Sequence, residues 1–414
     1  MDYLCRILIA LLLFSSEFAS HAQQSPDDDI MAVMNHPEYI EASLLVVSPG
    51  KAVYSAGGHL AIRMQCPSKD IDYTYQFNAI QTRENQSFAA AYFSGRLTGE
   101  YIRSYTADFI GEVKAEQRSI TELPMHLTPQ QEVKLWSMLD DAVDAPDNSH
   151  PFNPVYNNCC AMTLRFVGIT NIDEGFNDIN SILVGSSRRY LEDYFGDAKW
   201  TGLAWNLVLG SEFDKEKVPL FLLYPRRLGF YLSRVTVKGS GDFLIDNNEY
   251  YNSHEWRTSY SMFTPTLVFA ILLAIAVLLS EMSIRRHSAH RACRVFDTTL
   301  IIINAIIGLV LWYQQLFAEP PVSTFNEMAL FFTPLSLLLL IRSKAISIAQ
   351  VILLAYFTVV AFYYSIPGTS PQAEVYDMWL AMAVYAIRGA SHIAVITASV
   401  IKRYILKSAT TRLI

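Results

Sequence analysis

Five long apolar segments dominate the C-terminal part of the chain and constrain its fold more than any other feature. They lie near residues 262–282, 297–317, 328–341, 346–366 and 378–401. A helix that crosses a bilayer needs about 20 mainly apolar residues, and four of the five segments approach that length. The third is short but is bounded by polar residues. The sequence therefore predicts an all-α bundle of five transmembrane helices over residues 259–414.

The distribution of Lys and Arg indicates how this bundle is oriented. The linkers 284–295 and 342–344 and the tail from Lys402 contain ten Lys or Arg and no acid. The alternating loops 318–327 and 365–374 contain no Lys or Arg. Because cytoplasmic loops are enriched in these residues, we expect the C-terminal tail in the cytoplasm and the chain before residue 259 on the other side of the membrane.

Residues 1–22 have the pattern of a cleaved secretory signal. Arg6 precedes a short apolar run, and Ser20 and Ala22 occupy the −3 and −1 positions before Gln23. An uncleaved anchor is the alternative, although the run is too short to span a bilayer comfortably. The signal and the charge pattern therefore agree that residues 23–258 are exported. This segment is long enough for a folded domain with its own core.

The exported segment contains three cysteines, Cys66, Cys159 and Cys160. Thiols in an oxidising compartment tend to pair, and an odd number leaves at least one of them free. One interpretation is a disulfide between Cys66 and one member of the adjacent pair, with the other member buried and inert. The other interpretation is a reactive thiol.

The stretch YNNCCAMTLRF favours a reactive Cys159. Asn157 and Asn158 are good helix N-cap residues, and the residues after them have the apolar period of a helix. The positive end of a helix dipole stabilises a thiolate, so a cysteine in the first turn is half of an activated nucleophile. Cys160 is turned by about 100° and is expected to face packing.

His59 is the best candidate for the base that such a thiol needs. It begins the run HLAIRMQC, which alternates as a strand does, and the following run IDYTYQF alternates in a complementary way. If CPSK connects the two runs as a hairpin, His59 lies across from Gln76 and Arg63 across from Asp72. Gln76 would then fix the tautomer of His59. A half-buried strand histidine that is merely hydrogen-bonded is the alternative.

The remaining exported histidines are weaker candidates. They lie in loop or juxtamembrane stretches, at His36, His126, His150 and His254. Neither the spacing of a zinc site nor a glycine-rich phosphate loop is present, so we expect no metal and no other cofactor. The formal net charge of −7 argues against a nucleic-acid partner.

Several stretches together resemble one known family. They are ASLLVVSPGKAVYSAGGHLAIRMQCPSKDIDYTYQFNA, YFSGRLTGEYIRSYTADF, YNNCCAMTLRF and GLAWNLVLGSEFDK with the following FLLYPRRL. This set resembles the Lnb-type family over roughly residues 38–235. The order of a histidine first and a cysteine later at a helix start is also similar to that of permuted papain-like thiol enzymes, such as lecithin–retinol acyltransferase.

The resemblance implies an α+β permuted papain-like periplasmic domain followed by the five-helix bundle. It further implies Cys159 as the nucleophile and His59 as the base, with Gln76 where the family tends to have Asn. Supporting or substrate-contacting candidates are Asn158, Arg63, Asp72 and Tyr75. The chain departs from the family pattern at Asn157, Cys160 and Met162, which puts the substrate contacts of that turn in doubt.

The function that the resemblance implies is N-acylation of lipoproteins. A fatty acyl chain would pass from a membrane phospholipid to Cys159 as a thioester, and then to the α-amine of a lipoprotein N-terminal diacylglyceryl-cysteine. The enzyme would be a multi-pass protein of the bacterial inner membrane with its catalytic domain in the periplasm. Two alternatives stay open. A papain-like amidase or peptidase of the cell envelope would use the same pair, and a non-enzymatic membrane sensor or scaffold would hold a Cys66–Cys159 bridge.

Two further stretches suggest contacts with the membrane. VPLFLLYPRRLGFYLSRV offers an apolar face with Arg226, Arg227 and Arg234 for lipid headgroups, unless it is an ordinary core element followed by a basic turn. In AIRGASHIA, Arg388 and His392 lie one helical turn apart within an apolar segment. Charge there is costly, so we expect a pairing with a polar group such as Asn304, a contact with a lipid phosphate or a purely structural pair.

Overall fold

A computed structural model gives the fold of most of the chain. It describes residues 39–50, 57–80, 94–152, 157–169, 199–215, 232–237, 241–245, 263–286, 290–318, 325–343, 345–371 and 375–411, together with Ser55, Ala91 and Arg188. The predicted signal at 1–22, the predicted domain boundary at 258 and the basic pair Arg226 and Arg227 lie outside the described residues.

The N-terminal part of the described chain is built on one six-stranded sheet in which all neighbouring strands are antiparallel. Its strands are β1 (Glu41–Val47), β2 (His59–Cys66), β3 (Ile71–Ile80), β4 (Thr98–Tyr105), β5 (Ile120–Pro124) and β6 (His150–Pro151). The order across the sheet is β5-β1-β2-β3-β4-β6, so β2 and β3 lie in the middle.

Helices cover both faces of this sheet. They are α1 (Thr106–Ala115), α2 (Pro129–Val143) and α3 (Cys159–Ile169). The predicted inward face of β2, with Leu60 and Ile62, packs in the main core with residues of α2 and α3. Ala61, on the other face, packs against Phe109 and Val113 of α1. The predicted alternation of β2 is therefore confirmed, and the domain is α+β.

The β2–β3 hairpin differs from the predicted register by two residues. Ala61 pairs with Gln76, and Cys66 pairs with Ile71. The connection consists of residues 67–70 instead of the predicted 66–69, because Pro67–Lys69 form a 3₁₀ turn and Asp70 adopts the left-handed conformation at φ 57°. The predicted side-chain partners become diagonal neighbours, which long side chains still bridge.

The C-terminal part is helical. It comprises α6 (Pro265–Arg286), α7 (His290–Phe317), α8 (Met328–Phe331), a 3₁₀ helix (Pro334–Leu340), α9 (Ser347–Tyr364) and α10 (Tyr376–Thr411). Within the described residues, four of these helices, α6, α7, α9 and α10, are long and apolar enough to cross a membrane. Their outward faces are lined with exposed large apolar side chains, as contact with lipid requires.

The third predicted transmembrane segment is broken at Thr333 and Pro334. It forms α8 and the 3₁₀ helix rather than one long helix, because proline has no N–H to continue a helix. Asn304 of α7 hydrogen-bonds the interrupted backbone at the Phe331 carbonyl (3.1 Å) and the Thr333 N–H (3.2 Å). A Cβ on Gly308 would lie 2.5 Å from the Thr333 backbone, so only glycine permits this contact. Five membrane passes therefore stay a prediction.

A short helix joins the two parts of the molecule. α4 (Lys199–Val208) and the following one-turn α5 (Glu212–Lys215) lie between the sheet domain and the bundle. Trp205 and Leu209 pack against the main core of the domain. Leu203 and Leu207, on the other side of α4, pack against the core of the bundle. The Asn326 amide donates to the Leu207 carbonyl at 2.7 Å, which fixes α4 on the bundle.

Arg188 clamps the C-terminal end of α4. Its side chain is fully buried and donates to the carbonyls of Asn206 and Gly210 at 2.6 and 3.1 Å. It also forms an ion pair with Asp214 at 2.7 Å. A cation at the last carbonyls of a helix satisfies unpaired acceptors and the negative end of the dipole.

Candidate active site

Cys159 is the first residue of α3, as predicted. The Asn158 side-chain oxygen accepts a hydrogen bond from the Ala161 N–H at 2.9 Å, so Asn158 is the N-cap of the helix. The expectation that Asn158 caps this helix is therefore confirmed, and its role as a support or substrate contact stays a prediction. The Cys159 side chain is half-buried, whereas Cys160 is only 1% exposed and belongs to the main core.

His59 is the first residue of β2, and its ring is held by Gln76. The His59 Nε2 and Gln76 Oε1 atoms are 3.0 Å apart. An amide oxygen only accepts hydrogen bonds, so Nε2 carries the proton and donates it to Gln76. Nδ1 is then the unprotonated nitrogen of the neutral ring, which is the nitrogen able to take up another proton.

His59 lies close enough to Cys159 for its charge and a side-chain hydrogen bond to act on the thiol. A hydrogen bond from Cys160, the charge and hydrogen bond of His59, and a hydrogen bond from the Leu60 backbone together hold the pKa of Cys159 well below its usual value. Burial opposes this effect and is overcome. Burial also raises the pKa of Cys160, which stays a neutral thiol able to donate to its neighbour. The arrangement therefore contains one ionisable thiol, one base and one group that orients the base.

Cys66 lies far from this pair. Cys66, Cys159, Cys160 and Cys293, the cysteines that the structure describes, are all free. Cys66 ends β2, whereas Cys159 contacts residues at the start of β2, and seven residues of strand span about 23 Å. A disulfide requires Cα atoms within about 7 Å, so the predicted alternative of a Cys66–Cys159 bridge is wrong for this structure.

Arg63 and Asp72 form an ion pair that lies apart from the thiol. Arg63 donates to the two Asp72 oxygens at 2.8 and 2.6 Å. It also pairs with Glu122 of β5 at 2.9 Å, a partner that the sequence analysis missed. Arg63 follows His59 by four strand residues, or about 13 Å. These ion pairs fasten β2, β3 and β5 together, and a role of Arg63 and Asp72 in substrate contact stays a prediction.

Tyr75 is part of a buried hydrogen-bond network in the core. Its hydroxyl donates to Asp140 of α2 at 2.6 Å and accepts from the Trp136 indole at 2.8 Å. Arg103 pairs with the same Asp140 oxygen at 2.6 Å. The network ties α2 to β3 and β4. The prediction of Tyr75 as a substrate-contacting residue therefore gains no support from these contacts.

Arg388 and His392 meet an acid of another helix. Arg388 forms a bidentate pair with Asp297 of α7 at 2.8 and 2.9 Å and donates to Ser280 of α6 at 2.9 Å. His392 Nε2 is 2.8 Å from the second Asp297 oxygen. The predicted pairing with Asn304 is wrong, because Asn304 instead hydrogen-bonds the backbone at Phe331 and Thr333. We call Ser280, Asp297, Arg388 and His392 the ion cluster; it lies about 10 Å inside the C-terminal end of α6 and the N-terminal end of α7.

Comparison with protein families identifies the chain. Residues 29–183 match the Lnb N-terminal periplasmic domain, and residues 257–399 match the Lnb transmembrane domain. The chain belongs to the Lnb-type family. Family membership makes this a multi-pass bacterial membrane protein with a periplasmic N-terminal domain, and it indicates an enzyme of lipoprotein maturation. Searches of curated proteins and of solved structures find no match.

The Lnb-type periplasmic match covers both His59 and Cys159. Within the described residues, no group of three or more His, Cys, Asp or Glu side chains is arranged to hold a metal ion. The sequence did not reveal the acidic partners of three candidate residues. These partners are Glu122 for Arg63, Asp140 for Tyr75 and Asp297 for Arg388. For Asp297 a signal was available, because it is an isolated acid at the first position of the apolar segment 297–317.

Proposed function

We propose that this protein is a thiol-dependent lipoprotein N-acyltransferase of the bacterial inner membrane. The acyl donor is a membrane phospholipid, and the acceptor is the α-amine of a lipoprotein N-terminal diacylglyceryl-cysteine. One observation carries the proposal: Cys159, with its lowered pKa, contacts His59, which Gln76 orients, in a domain of the Lnb-type family.

In the first step, the Cys159 thiolate attacks an ester carbonyl of the phospholipid. A carbon–sulfur bond forms, and the ester carbon–oxygen bond breaks. The leaving glyceryl oxygen takes the proton held on His59 Nδ1. The products are a thioester on Cys159 and a lysophospholipid, and His59 becomes neutral. A thiolate that is stable near neutral pH suits this step because the thiolate is the nucleophilic form.

In the second step, the lipoprotein α-amine attacks the thioester carbonyl. A carbon–nitrogen bond forms, the carbon–sulfur bond breaks, and His59 Nδ1 accepts the proton that the amine loses. The thiolate and the protonated imidazole are thereby restored. Division into two steps suits a thiol because a thioester is activated towards amines. Gln76 acts in both steps by holding Nε2–H, so that Nδ1 faces the sulfur.

The position of the site relative to the bundle supports lipid substrates. α4 packs with one side against the core that includes Cys159 and with the other side against the bundle. Trp200 of α4, 45% exposed, donates to the Phe263 carbonyl at 2.8 Å, and Phe263 is 73% exposed. Exposed aromatic residues are enriched where a protein meets the membrane interface. The proposal includes a permuted papain-like fold and five membrane passes.

Mass spectrometry of lipoprotein N-termini tests this function. Cells that depend on this protein for N-acylation should lose N-acyl chains when it carries Cys159→Ser or His59→Ala. Removal of the nucleophile is expected to abolish the thioester route, and loss of the base is expected to slow it about 10²–10⁴-fold. The purified wild-type protein in phospholipid vesicles should gain the mass of one acyl group on Cys159.

Cys66→Ser is the matched control, because Cys66 is a free thiol of the same domain that lies away from His59. Its lipoproteins should stay N-acylated. N-acyl chains that persist in both Cys159→Ser and His59→Ala cells would contradict the proposal. A wild-type protein that releases free fatty acid or cleaves a peptide, without acylating an amine, would instead favour the hydrolase alternative.

A further inference from the structure

The periplasmic end of the bundle holds a group of polar side chains that the thiol chemistry does not use. α7 and the segment leading into α8 run antiparallel there. Trp312 donates to the Ala329 carbonyl at 2.9 Å, and the Asn326 N–H donates to the Gln315 side chain at 3.2 Å. These two contacts set the register, which brings Gln314 to the level of Glu327.

Gln314 is buried without a partner for its amide nitrogen. Its side chain is 1% exposed, and its Nε2 has no hydrogen-bond acceptor within the described residues. It follows Leu311 by one helical turn, and Leu311 packs with Met328 and Tyr364 in the bundle core. The amide therefore faces the bundle interior. A buried donor without an acceptor costs about 1–3 kcal/mol, which a ligand oxygen would recover.

Glu327 supplies a negative charge at the same level. Its carboxylate accepts a long hydrogen bond of 3.3 Å from the buried Tyr364 hydroxyl. In the part of the chain that the structure describes, no Lys, Arg or His pairs with it. The two loops at this end, 318–327 and 365–374, contain no Lys or Arg in their sequence. A carboxylate in such surroundings favours an external cation.

We propose that Glu327 and Gln314 bind the primary ammonium group of a membrane lipid together with an oxygen atom near it. Glu327 takes the ammonium, and the Gln314 amide donates to the oxygen. This inference rests on the proposed function, because that function brings two molecules of this chemistry to the periplasmic face. One is a phosphatidylethanolamine donor, with its phosphate oxygen. The other is the lipoprotein acceptor, whose α-amine lies beside a carbonyl.

The site lies directly below α4. Asn326, the neighbour of Glu327, holds the Leu207 carbonyl of α4, and the Ser211 N–H donates to the Phe325 carbonyl at 2.6 Å. Leu209 and Trp205 reach the core that contains Cys159 from the other side of α4. A helix with its side chains is about 10 Å wide, so one lipid molecule extends from Glu327 to the neighbourhood of the thiol.

The first experiment measures acyl transfer to Cys159 in a single turnover. The full-length protein is presented with phosphatidylethanolamine, phosphatidylglycerol or phosphatidylcholine of identical acyl chains, and the thioester is followed by intact mass. If the site holds the donor headgroup, the wild type should react about tenfold faster with phosphatidylethanolamine. Glu327→Gln should remove that preference and leave the rates with the other two lipids unchanged.

A second experiment follows the reaction of the preformed thioester with a synthetic diacylglyceryl lipopeptide that has a free α-amine. If the site holds the acceptor, Glu327→Gln should slow this step about tenfold and leave the first step unchanged. Gln314→Leu should weaken the same step as Glu327→Gln in either case. Asp377→Asn is the matched control, since Asp377 is a buried acid at the same end of the bundle that is already held by Thr266.

Equal rates for the wild type and Glu327→Gln in both steps, with every lipid, would overturn the inference and leave the proposed function intact. A wild type that forms no thioester from any phospholipid would instead overturn the proposed function. In that case, native mass spectrometry still tests the site. It compares how much phosphatidylethanolamine, and how much diacylglyceryl lipopeptide, is retained by Cys159→Ser protein and by the Cys159→Ser, Glu327→Gln double variant. Equal retention by both proteins, of phosphatidylethanolamine and of the diacylglyceryl lipopeptide, would refute it.

Discussion

The thiol site and the ion cluster of the bundle use similar groups in opposite ways. In the ion cluster, every charge has an opposite charge or a hydroxyl within hydrogen-bond distance, and Arg388 is 3% exposed. In the thiol site, Cys159 is half-buried, and its contact with His59 pairs two groups that exchange one proton. Each charge of the ion cluster is thus satisfied by its neighbours, whereas under the proposed function the thiol site keeps a proton acceptor and a nucleophile available. Burial alone thus does not show whether an ionisable group stabilises the fold or is available for reaction. The ion pairs and hydrogen bonds of that group must be considered as well.

Breaking the ion cluster should give the largest effect on stability. Arg388→Leu leaves the half-buried Asp297 with His392 alone, and loss of one partner of a buried pair costs up to about 3–5 kcal/mol. We expect a lower thermal midpoint in detergent and a lower yield of folded protein. The alkylation rate of Cys159 per folded molecule should stay unchanged, because the thiol site lies in the other part of the molecule.

The double variant Arg388→Leu with Asp297→Leu is the control for this prediction. Removal of both charges should recover much of the lost stability, since no charge is then left without its partner. A double variant as unstable as Arg388→Leu alone would mean that packing, not charge pairing, accounts for the loss. A change in Cys159 alkylation would mean that the two sites are coupled.

Removing the hydrogen bond from Cys160 should move the ionisation of Cys159. This bond is the foremost cause of the lowered pKa of Cys159, so Cys160→Ala should raise that pKa. The rate of Cys159 alkylation by iodoacetamide, followed by site-resolved mass spectrometry, should then reach half its plateau at a higher pH than in the wild type. Cys160→Ser keeps a hydroxyl donor and should shift the midpoint less. An unchanged midpoint in Cys160→Ala would assign the effect to His59.

A change at Glu132 of α2 should have the smallest effect on stability. Glu132 is a buried acid that, within the described residues, lacks the kind of ion pair that Asp297 forms. Burial and the negative charge of Glu41 raise its pKa to about 8. Between about pH 4.5 and 8 the folded state therefore binds more protons than the unfolded state, and stability falls as the pH rises. Glu132→Gln removes this effect and should therefore raise stability more at pH 8 than at pH 5.

The measurement is thermal unfolding at the two pH values. Glu112→Gln is the matched control, because Glu112 is an exposed acid on α1 of the same domain. It should show no such difference. Equal gains for Glu132→Gln at both pH values would show that the carboxyl is ionised in the folded state throughout this range.

The parts of the thiol site that short-range rules govern were predictable from the sequence. Alternation placed His59 and Gln76 on the same side of a hairpin, and cap preference placed Asn158 before Cys159. The register was wrong by two residues because a 3₁₀ turn moved the connection, and the length of Gln76 absorbed the difference. The meeting of His59 and Cys159 was expected from the family resemblance, since their separation of 100 residues leaves no local signal.

Partners separated widely in the sequence were not predictable. Asp297 and Arg388 are 91 residues apart, and Tyr75 and Asp140 are 65 apart. No local period connects such residues, and only the packing of whole helices decides which polar groups meet. Asn304 illustrates the point: its polarity was recognised, but its partner is the backbone freed at Thr333, which depends on how the third apolar segment breaks.

Because α4 lies between the sheet domain and the bundle, it sets the height of the Cys159 sulfur above the membrane-spanning helices. Because Arg188 and Asn326 hold this helix at its C-terminal end, the height is a fixed property of the fold. Under the proposed function, a thiol at constant height meets membrane-anchored substrates by lateral diffusion, so their surface density rather than their bulk concentration sets the encounter rate. Separated from its bundle, the periplasmic domain would keep its thiol and imidazole but would exchange a two-dimensional search for a three-dimensional one.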